Sequence, residues 1–183
     1  TTVYDVPKLN QVVCVGRLSI EKGQDRLIDA FSKIAQHTDW KLVLAGDGPM
    51  REAWEKKVSD LQLNDKIVFL GKVQNVDLLL NESSIFVLPS RLEGFPNALC
   101  EAMAVGLPCV CFDSIATDYF LNPNENGLIV KEDDIDALAI TIKKLIDNPE
   151  LREALGNNAK QIAQKLAVAT IGEEFLNFMF LKV

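Results

Sequence analysis

The segment Gly16–Gly23 combines two cations with two glycines in a short stretch of sequence. Arg17 and Lys22 are suited to bind phosphate oxygens, because charge-assisted hydrogen bonds are among the strongest that proteins make. Glycine at each end allows the backbone conformations that a tight turn needs. The chain has a formal net charge of -7, so any anion site must be local, and a diphosphate would suit this pair. Taken alone, the segment also fits two solvated cations in a surface loop.

The segment Pro89–Glu101 predicts the start of a helix that can bind an anion. Pro96 and Asn97 begin a helical pattern, and the first amides of a helix have no intrahelical partner. Such amides attract phosphate, because they also form the positive end of the helix dipole. Gly94 precedes the helix and lets the backbone approach a ligand. The amides concerned include those of Asn97, Ala98 and Leu99.

Two carboxylates flank this helix start. Glu93 belongs to the loop before the helix, and Glu101 lies about one turn inside it. Carboxylates repel phosphate but accept hydrogen bonds from sugar hydroxyls, so one could hold a hexose and the other a ribose. An acidic residue in the first turn is also favoured by the helix dipole alone. The combination with Gly94 and with the two cations of the earlier segment favours a binding role for Glu101.

Two further turns contain glycine but carry weaker signals. Residues 46–49, Gly-Asp-Gly-Pro, resemble a dinucleotide-binding fingerprint only superficially, because the third glycine of that pattern is missing. We interpret them as a tight turn with Pro49 at the first position of a helix that starts near Met50. Residues 71–73, Gly-Lys-Val, follow an apolar run. The backbone near Val73 either reads the edge of a base or simply connects two elements.

Short continuous apolar runs predict the strands that position these segments. A run without alternation is typical of a strand buried on both faces, as in a parallel sheet. Helical patterns lie between the runs, so we predict an α/β fold: a Rossmann-like, doubly wound parallel sheet of about six strands with helices on both faces. Ligands of such sheets bind beyond the carboxyl ends of the strands, where each segment above lies. The runs are Val12–Val15, Leu42–Ala45, Ile67–Leu70, Ile85–Leu88, Cys109–Phe112 and Leu128–Val130.

Helical patterns and the domain organisation follow from the same periodicity. Asp133 or Asp134 is a candidate N-cap, and two helices are predicted after Asp147, over Glu150–Leu166 and Ile171–Leu181. We divide the chain into a linker (1–10), one domain (11–166) and a C-terminal helix (167–183). The apolar stripes are Leu27, Ile28, Ala30, Phe31, Ile34 and Ala35 in a first helix, and Leu138, Ile142, Leu145 and Ile146 in a later one. The aromatic C-terminal helix should pack against this domain or an absent one.

Composition argues against several classes of protein. The acidic charge balance repels nucleic acid, no apolar run reaches the length of a membrane span, and the first residues lack the basic and apolar regions of a secretory signal. His37 falls near the end of the first helix, so we interpret it as a surface residue rather than a base. The four cysteines show no CxxC spacing, and we interpret them as buried free thiols of a reducing compartment. They are Cys14, Cys100, Cys109 and Cys111.

Taken in order along the chain, these motifs resemble the C-terminal domain of retaining glycosyltransferases of family 4, which have the GT-B fold. The motifs are Gly-Arg-Leu-x-x-x-Lys-Gly at 16–23, Gly-x-Gly-Pro at 46–49, Val68-Phe69-Leu70-Gly71, and Glu-x7-Glu from Glu93 to Glu101. The resemblance covers nearly the whole chain, and the joint spacing is specific although each motif alone is not. It implies that residues 11–166 bind a nucleotide-sugar donor for transfer of a hexose-type sugar, with UDP as the expected nucleotide and no cofactor.

The resemblance also implies roles for individual residues. Arg17 and Lys22 would contact the donor diphosphate, Glu101 the ribose hydroxyls, and the backbone near Val73 the base. Glu93 and the amides of residues 94–99 would meet the sugar and its phosphates. The implied catalytic residues are Glu93, Arg17 and Lys22. The implied donor-binding residues are Gly16, Arg17, Lys22, Val73, Glu93, Gly94, Phe95, Asn97, Ala98, Leu99 and Glu101.

The family mechanism is independent of metal, because two cations and a helix start can stabilise a leaving diphosphate. Retention is expected through departure and return on the same face of the sugar, with the leaving phosphate taking the acceptor's proton. A covalent glycosyl-enzyme on Glu93 is the less favoured alternative. Asp134-Ile-Asp136 spells the Asp-x-Asp motif of metal-dependent glycosyltransferases of another fold. It opens a helix here, so we interpret it as a cap.

Such enzymes need an N-terminal domain that binds the acceptor, and this sequence lacks one. We therefore expect the chain to bind donor weakly and to catalyse no transfer alone. The expected location is the cytoplasm, with any association with the inner membrane face belonging to the absent domain. Alternatives are a GT-B epimerase or phosphorylase-like enzyme, and a non-catalytic sugar-nucleotide-binding module. A nicotinamide-dependent oxidoreductase is disfavoured, because no Gly-x-Gly-x-x-Gly follows the first strand.

Overall fold

A computed structural model describes residues 1–113 and 120–165 of the chain. The described residues form a six-stranded sheet of order β3-β2-β1-β4-β5-β6, with every neighbouring pair parallel. The predicted doubly wound sheet is therefore confirmed, and each apolar run is a strand to within a residue. The strands are β1 (Gln11–Val15), β2 (Lys41–Ala45), β3 (Ile67–Gly71), β4 (Ile85–Leu88), β5 (Cys109–Phe112) and β6 (Leu128–Val130).

Helices cover both faces of the sheet. Successive residues of a strand point to opposite faces, so strands that are apolar throughout present hydrophobic side chains on both sides. Val12 and Cys14 of β1 pack into one hydrophobic cluster, and Val13 packs into the other. The first cluster includes residues of α1 and α5, and the second includes residues of α3 and α4. The helices are α1 (Gln24–Ser32), α2 (Arg51–Asp60), α3 (Val76–Glu82), α4 (Asn97–Ala104), α5 (Ile135–Asp147) and α6 (Pro149–Lys165), with short 3-10 turns at Ile20–Lys22 and Ala35–His37.

Two predicted helix boundaries need correction. The first helix ends at Ser32, so Ile34 and Ala35 are buried from the turn that follows rather than from the helix. Pro49 is not the first helical residue, since α2 begins at Arg51. The cause is a neighbouring loop: the Met50 amide donates to the carbonyl of Leu18 at 3.1 Å, which delays the first turn of α2.

Other expectations about the elements are met, except that one of the four cysteines is not buried. The predicted helix over Glu150–Leu166 corresponds to α6, and His37 is exposed. Cys14, Cys109 and Cys111 are buried free thiols, whereas Cys100 is half-buried. Burial raises the pKa of Cys14 to about 12 and the pKa of the other three thiols above their ordinary value. Neutral thiols are poor nucleophiles, so the raised pKa values disfavour reaction at these cysteines.

Residues 1–10 have no regular secondary structure, and they lie against α3. The Thr2 amide donates to Asp77 at 2.7 Å, and the Tyr4 amide donates to the side chain of Asn81 at 2.9 Å. The predicted helix over Ile171–Leu181 and the boundary at 166/167 lie outside the described residues. Among the described residues, every helix is too short or too polar to span a bilayer.

Candidate ligand-binding site

The candidate site lies where the order of the sheet reverses. β1 and β4 are neighbours at this point, and the connections from their carboxyl ends run to opposite sides of the sheet. In doubly wound sheets the loops diverge here and leave a crevice. A concave site of about 220 Å³ occupies it, and we call it the Lys22 pocket. It is lined by Val15, Gly16, Lys22, Leu88, Glu93, Phe95, Pro96, Asn97, Ala98 and Glu101.

The structure thus brings together most of the residues that the sequence singled out. Those that line the Lys22 pocket are Gly16, Lys22, Glu93, Phe95, Asn97, Ala98 and Glu101. Leu99 is fully buried in the core, so only its backbone is available to a ligand. Val73 is half-buried against the same hydrophobic cluster as Leu99. A Cβ added at Gly94 would meet no atom within 4 Å, so packing within the described protein does not require glycine there.

Arg17 lines a second concave surface beside the first, which we call the Arg17 groove. The groove has a volume of about 440 Å³ and is lined by Arg17, Asp47, Gly48 and Lys72, which follow β1, β2 and β3. Arg17 and Lys72 form no ion pair with any residue that the structure describes. Two unpaired cations in an acidic protein make this groove attractive to an anion.

The Gly-x-Gly-Pro motif brings two site loops into backbone contact. Gly46 has a φ of 138°, and an added Cβ would lie 1.9 Å from the carbonyl oxygen of Gly16. A Cβ at Gly48 would lie 2.3 Å from the carbonyl oxygen of Leu18. The Leu18 amide donates to the carbonyl of Asp47 at 3.1 Å. The two glycines therefore permit the close approach that holds the Arg17 loop in place.

Lys22 and Glu93, which both line the Lys22 pocket, form an ion pair. The Lys22 Nζ lies 2.8 Å from both carboxylate oxygens of Glu93. Ser90 Oγ donates to one of these oxygens at 2.6 Å. The Glu93 side chain is only 5% exposed and that of Lys22 is 33% exposed. Lys22 and Glu93, which the sequence assigned to different parts of a donor, are thus each other's partners.

A second ion pair, outside the pocket, joins the loop after β4 to the first turn of α1. Arg91 donates to both oxygens of Asp25, at 2.8 and 2.7 Å. Burial is the largest single influence and would raise the pKa of Asp25. The hydrogen bonds and positive charge of Arg91, together with a backbone hydrogen bond and the charge of Lys57, outweigh it and hold that pKa below its usual range. The amides of Arg91 and Leu92 both donate to the carbonyl of Glu21, at 2.8 and 3.2 Å. The loop after β4 is therefore tied to the loop after β1 through backbone and side chains.

The start of α4 is less open than the sequence suggested. As expected, the first amides lack partners inside the helix, but two of them are occupied by residues before it. The Asn97 amide donates to the carbonyl of Phe95, and the Leu99 amide donates to the carbonyl of Pro96, both at 3.0 Å. The Ala98 amide has no hydrogen-bond partner among the residues that the structure describes. The N-cap is Pro96, which offers no side-chain acceptor.

Glu101 presents an available carboxylate to the Lys22 pocket. Its side chain forms no hydrogen bond or ion pair within the described part of the chain, in contrast to that of Glu93. Burial, and then the negative charge of Asp77, raises the pKa of Glu101 above its ordinary value. Both causes disfavour the charged form of this carboxyl group. A ligand that donates hydrogen bonds to this carboxylate would offset the free-energy cost of its charged form.

The Asp-x-Asp motif caps a helix, as predicted. The Asp134 side chain accepts a hydrogen bond from the Ala137 amide at 2.8 Å at the start of α5. Asp136 forms an ion pair with Lys33 at 2.8 Å. Over residues 1–113 and 120–165, no group of three or more His, Cys, Asp or Glu side chains is placed to hold a metal ion.

Sequence reasoning missed three residues that shape the site. Ser90 and Arg91 have the contacts described above. Arg26 is a buried arginine on α1 whose guanidinium contacts the carbonyl of Pro89. Ser90 lies only three residues before its partner Glu93, but a serine in a loop is too common to mark a contact. Arg91 carried no detectable signal, because its partner Asp25 is distant in sequence. Arg26 did carry one, since a charged residue that directly precedes the apolar stripe of a helix requires a buried partner.

Comparison with known proteins finds relatives over almost the whole chain. A family model described as glycosyl transferases group 1 matches residues 5–162. An alpha-1,4-N-acetyl-D-galactosaminyltransferase of Campylobacter jejuni is 32% identical over 180 residues, covering 94% of this chain and 48% of that protein. The chain spans about half the length of the curated relatives it matches.

Solved structures show the same fold. A crystal structure of TarM from S. aureus in a complex that contains UDP superposes with a TM-score of 0.89 at 23% identity, covering 97% of this chain and 37% of TarM. A crystal structure of HepE from Anabaena in complex with UDP-glucose has a TM-score of 0.83 at 25% identity, covering 92% of this chain and 48% of HepE.

Proposed function

Because the chain belongs to the glycosyl transferases group 1 family, we propose that it is the donor-binding, C-terminal half of a GT-B glycosyltransferase. The donor is an NDP-sugar with a hexose-type sugar, and the nucleotide is UDP. The observation that carries this proposal is the Lys22 pocket: a cation, a free carboxylate and a helix start meet at the switch point of the sheet. Solved relatives that contain UDP or UDP-glucose support the choice of nucleotide.

The cations of the two concave surfaces bind the diphosphate. Arg17 has no ion-pair partner within the described residues and can turn toward a phosphate. Lys22 has three N–H donors, of which two suffice for the two oxygens of Glu93. The third remains for a phosphate oxygen, so Lys22 can bind the donor without leaving Glu93. The free Ala98 amide at the start of α4 adds a neutral donor to the same anion.

The carboxylates bind the sugar parts of the donor. Glu101 accepts hydrogen bonds from the ribose hydroxyls, and its lack of a side-chain partner among the described residues supports this role. Glu93 faces the hexose, held in position by Lys22 and Ser90. The base lies toward the backbone near Val73, at the end of β3.

The proposed reaction is transfer with retention and without metal. The bond between the anomeric carbon and the diphosphate oxygen breaks, and the acceptor oxygen bonds to the same face of that carbon. The acceptor's proton passes to the departing phosphate oxygen, so NDP and the glycosylated acceptor are the products. Arg17, Lys22 and the helix start stabilise the charge on the leaving group. Glu93 is a poor candidate for a covalent nucleophile, because Lys22 and Ser90 already engage its oxygens.

The site needs a second half before it can catalyse transfer. At about 220 Å³, the Lys22 pocket is smaller than the roughly 300–1,000 Å³ of typical ligand sites. The relatives carry about as much sequence again as this chain covers, and we place the acceptor-binding domain there. The free thiols fit the cytoplasm, and any contact with the inner membrane face belongs to the other domain.

Calorimetric titration of this chain with UDP, GDP and ADP tests the proposal. We expect weak binding, preferentially of UDP, and its loss in Arg17→Ala and in Glu101→Ala. Lys56→Ala is the matched control, since it removes an exposed ion pair with Asp60 on α2. Binding that survives both site substitutions would contradict the assignment of the donor site. Sugar transfer by the chain alone would contradict the requirement for a second domain.

A further inference from the structure

We propose that Arg26 is a positioning residue of the donor site, which holds the loop formed by residues 89–96 and thereby sets the place of Glu93. This inference rests on the proposed function, because it explains how the same site keeps its shape. Arg26 lies on α1 and does not line the Lys22 pocket. Its effect on a ligand must therefore pass through the groups that it contacts.

The Arg26 guanidinium is buried, at 3% exposure, and is engaged on its edges and its face. Nε and Nη2 both donate to the carbonyl oxygen of Pro89, at 3.1 and 2.6 Å. Nη1 donates to Asp133 at 2.6 Å and also to Glu132. The guanidinium carbon lies 4.2 Å from the centre of the Phe112 ring. One side chain thus connects α1, the loop after β4 and the turn before α5.

The carbonyl of Pro89 has little freedom of its own. Pro89 is the first residue after β4 and begins the loop that carries Ser90 and Glu93. On one side the carbonyl oxygen accepts the two hydrogen bonds from the Arg26 guanidinium. On the other it meets the backbone of Gly23, where an added Cβ would lie 2.1 Å from the Pro89 oxygen. Gly23 follows Lys22 directly, so a shift of Pro89 would move Glu93 relative to its partner.

These contacts require the planar guanidinium of arginine, which carries several N–H donors in one plane. A lysine would keep the positive charge, but its single ammonium cannot donate to Pro89 from two nitrogen atoms while also reaching the acidic turn. Misplacement of a binding group by about 1 Å can cost on the order of a hundredfold in rate. The charge of Arg26 is balanced by Glu132 and Asp133, which are 41% and 71% exposed and can be resolvated. The Pro89 carbonyl is buried and would be left with an unmet hydrogen bond.

Arg26→Lys is the test, with Arg152→Lys as a matched control. Arg152 makes the same kinds of contact far from the site: it donates to the carbonyls of Leu145 and Ile146 at 2.6 and 3.0 Å, and its guanidinium lies 5.0 Å from the Trp40 ring centre. Both variants should lower Tm. Only Arg26→Lys should weaken binding of UDP-glucose by about tenfold or more, and binding of UDP by less, because Glu93 faces the sugar.

Two further readouts separate positioning from general loss of stability. Hydrogen exchange of the amides in residues 89–96 should become faster in Arg26→Lys and stay unchanged in Arg152→Lys. The effects of Arg26→Lys and Glu93→Gln on UDP-glucose binding should be strongly non-additive, because both act through the same carboxylate. Asp133→Asn offers a milder variant that tolerates the φ of 60° at this position. It should change binding in the same direction.

Equal effects of the two lysine variants on binding, or unchanged exchange in residues 89–96, would overturn the role of Arg26. Additive effects of Arg26→Lys and Glu93→Gln would also overturn it. If the wild-type chain binds neither UDP nor UDP-glucose, the proposed function fails instead. The exchange of residues 89–96 still decides whether Arg26 positions the loop.

Discussion

Replacement of Lys22 by methionine leaves a nearly buried carboxylate without its counter-ion. In the native protein both oxygens of Glu93 lie 2.8 Å from the Lys22 Nζ, and the Glu93 side chain is 5% exposed. Methionine keeps much of the length and apolar volume of lysine, so the change isolates the ammonium. Ser90 Oγ still donates one hydrogen bond to Glu93, which satisfies only part of the carboxylate.

The size of the effect follows from the burial of the two partners. Breaking a fully buried ion pair costs about 3–5 kcal/mol, and an exposed pair contributes about 0–1 kcal/mol. Lys22 is one-third exposed, so water can replace part of the ammonium, and we expect Lys22→Met to cost about 1–2 kcal/mol. Glu93→Gln should cost less, about 1 kcal/mol, because the side-chain carbonyl still accepts from Ser90. The double variant carries no unpaired charge and should be more stable than the sum of the single effects predicts.

Urea unfolding of the four proteins at neutral pH measures this coupling as a double-mutant cycle. We expect an interaction energy of about 1 kcal/mol in favour of the native pair. Single effects that add to within about 0.5 kcal/mol would refute the reasoning, since they would mean that Lys22 and Glu93 do not share a buried contact. A change in the m-value would indicate instead that a variant alters the denatured state.

Three more outcomes follow from the site and its supports. Gly46→Ala should cost more than about 2 kcal/mol in the free energy of unfolding, because it adds a Cβ at a φ of 138° against backbone, whereas Gly94→Ala in open space should be nearly neutral. The folded protein raises the pKa of Glu101. The contribution of this group to stability is therefore greatest below the pKa of the unfolded state, and it falls as pH rises through the pKa of the folded state. Without added nucleotide, Glu101→Gln should therefore stabilise the protein at pH 7 by a few tenths of a kcal/mol after allowance for solvent screening, but not at about pH 4. The same substitution should weaken UDP binding. Equal stabilisation at both pH values would contradict the direction of the pKa shift. Asp134→Ala should lower unfolding free energy by about 1 kcal/mol through loss of the cap on α5, and Asp136→Ala, an exposed control, by less than about 0.5 kcal/mol.

The strands and their parallel arrangement were predictable, because the burial of a strand on both faces requires a short run of apolar residues that can be recognised locally. A strand covered on both faces must be apolar at every position, as Cys109–Phe112 is, and that requirement needs no knowledge of distant residues. The same holds for the cap at Asp134, whose partner lies three residues away. Helix boundaries were less predictable where another loop intervened, as at Pro49, because the contact that delays α2 comes from Leu18.

The sequence by itself determined which residues would lie at the carboxyl edge of the sheet, since each follows a recognisable strand. Only the tertiary structure decided their partners. Lys22 meets Glu93 across 71 residues, and Arg26 meets Pro89 across 63, because the order of the sheet makes β1 and β4 neighbours. Hydrophobic periodicity encodes which side of an element is buried. It carries no information about which other charged side chain will share that burial, because this depends on the sheet order and on loop paths that form only when the chain folds.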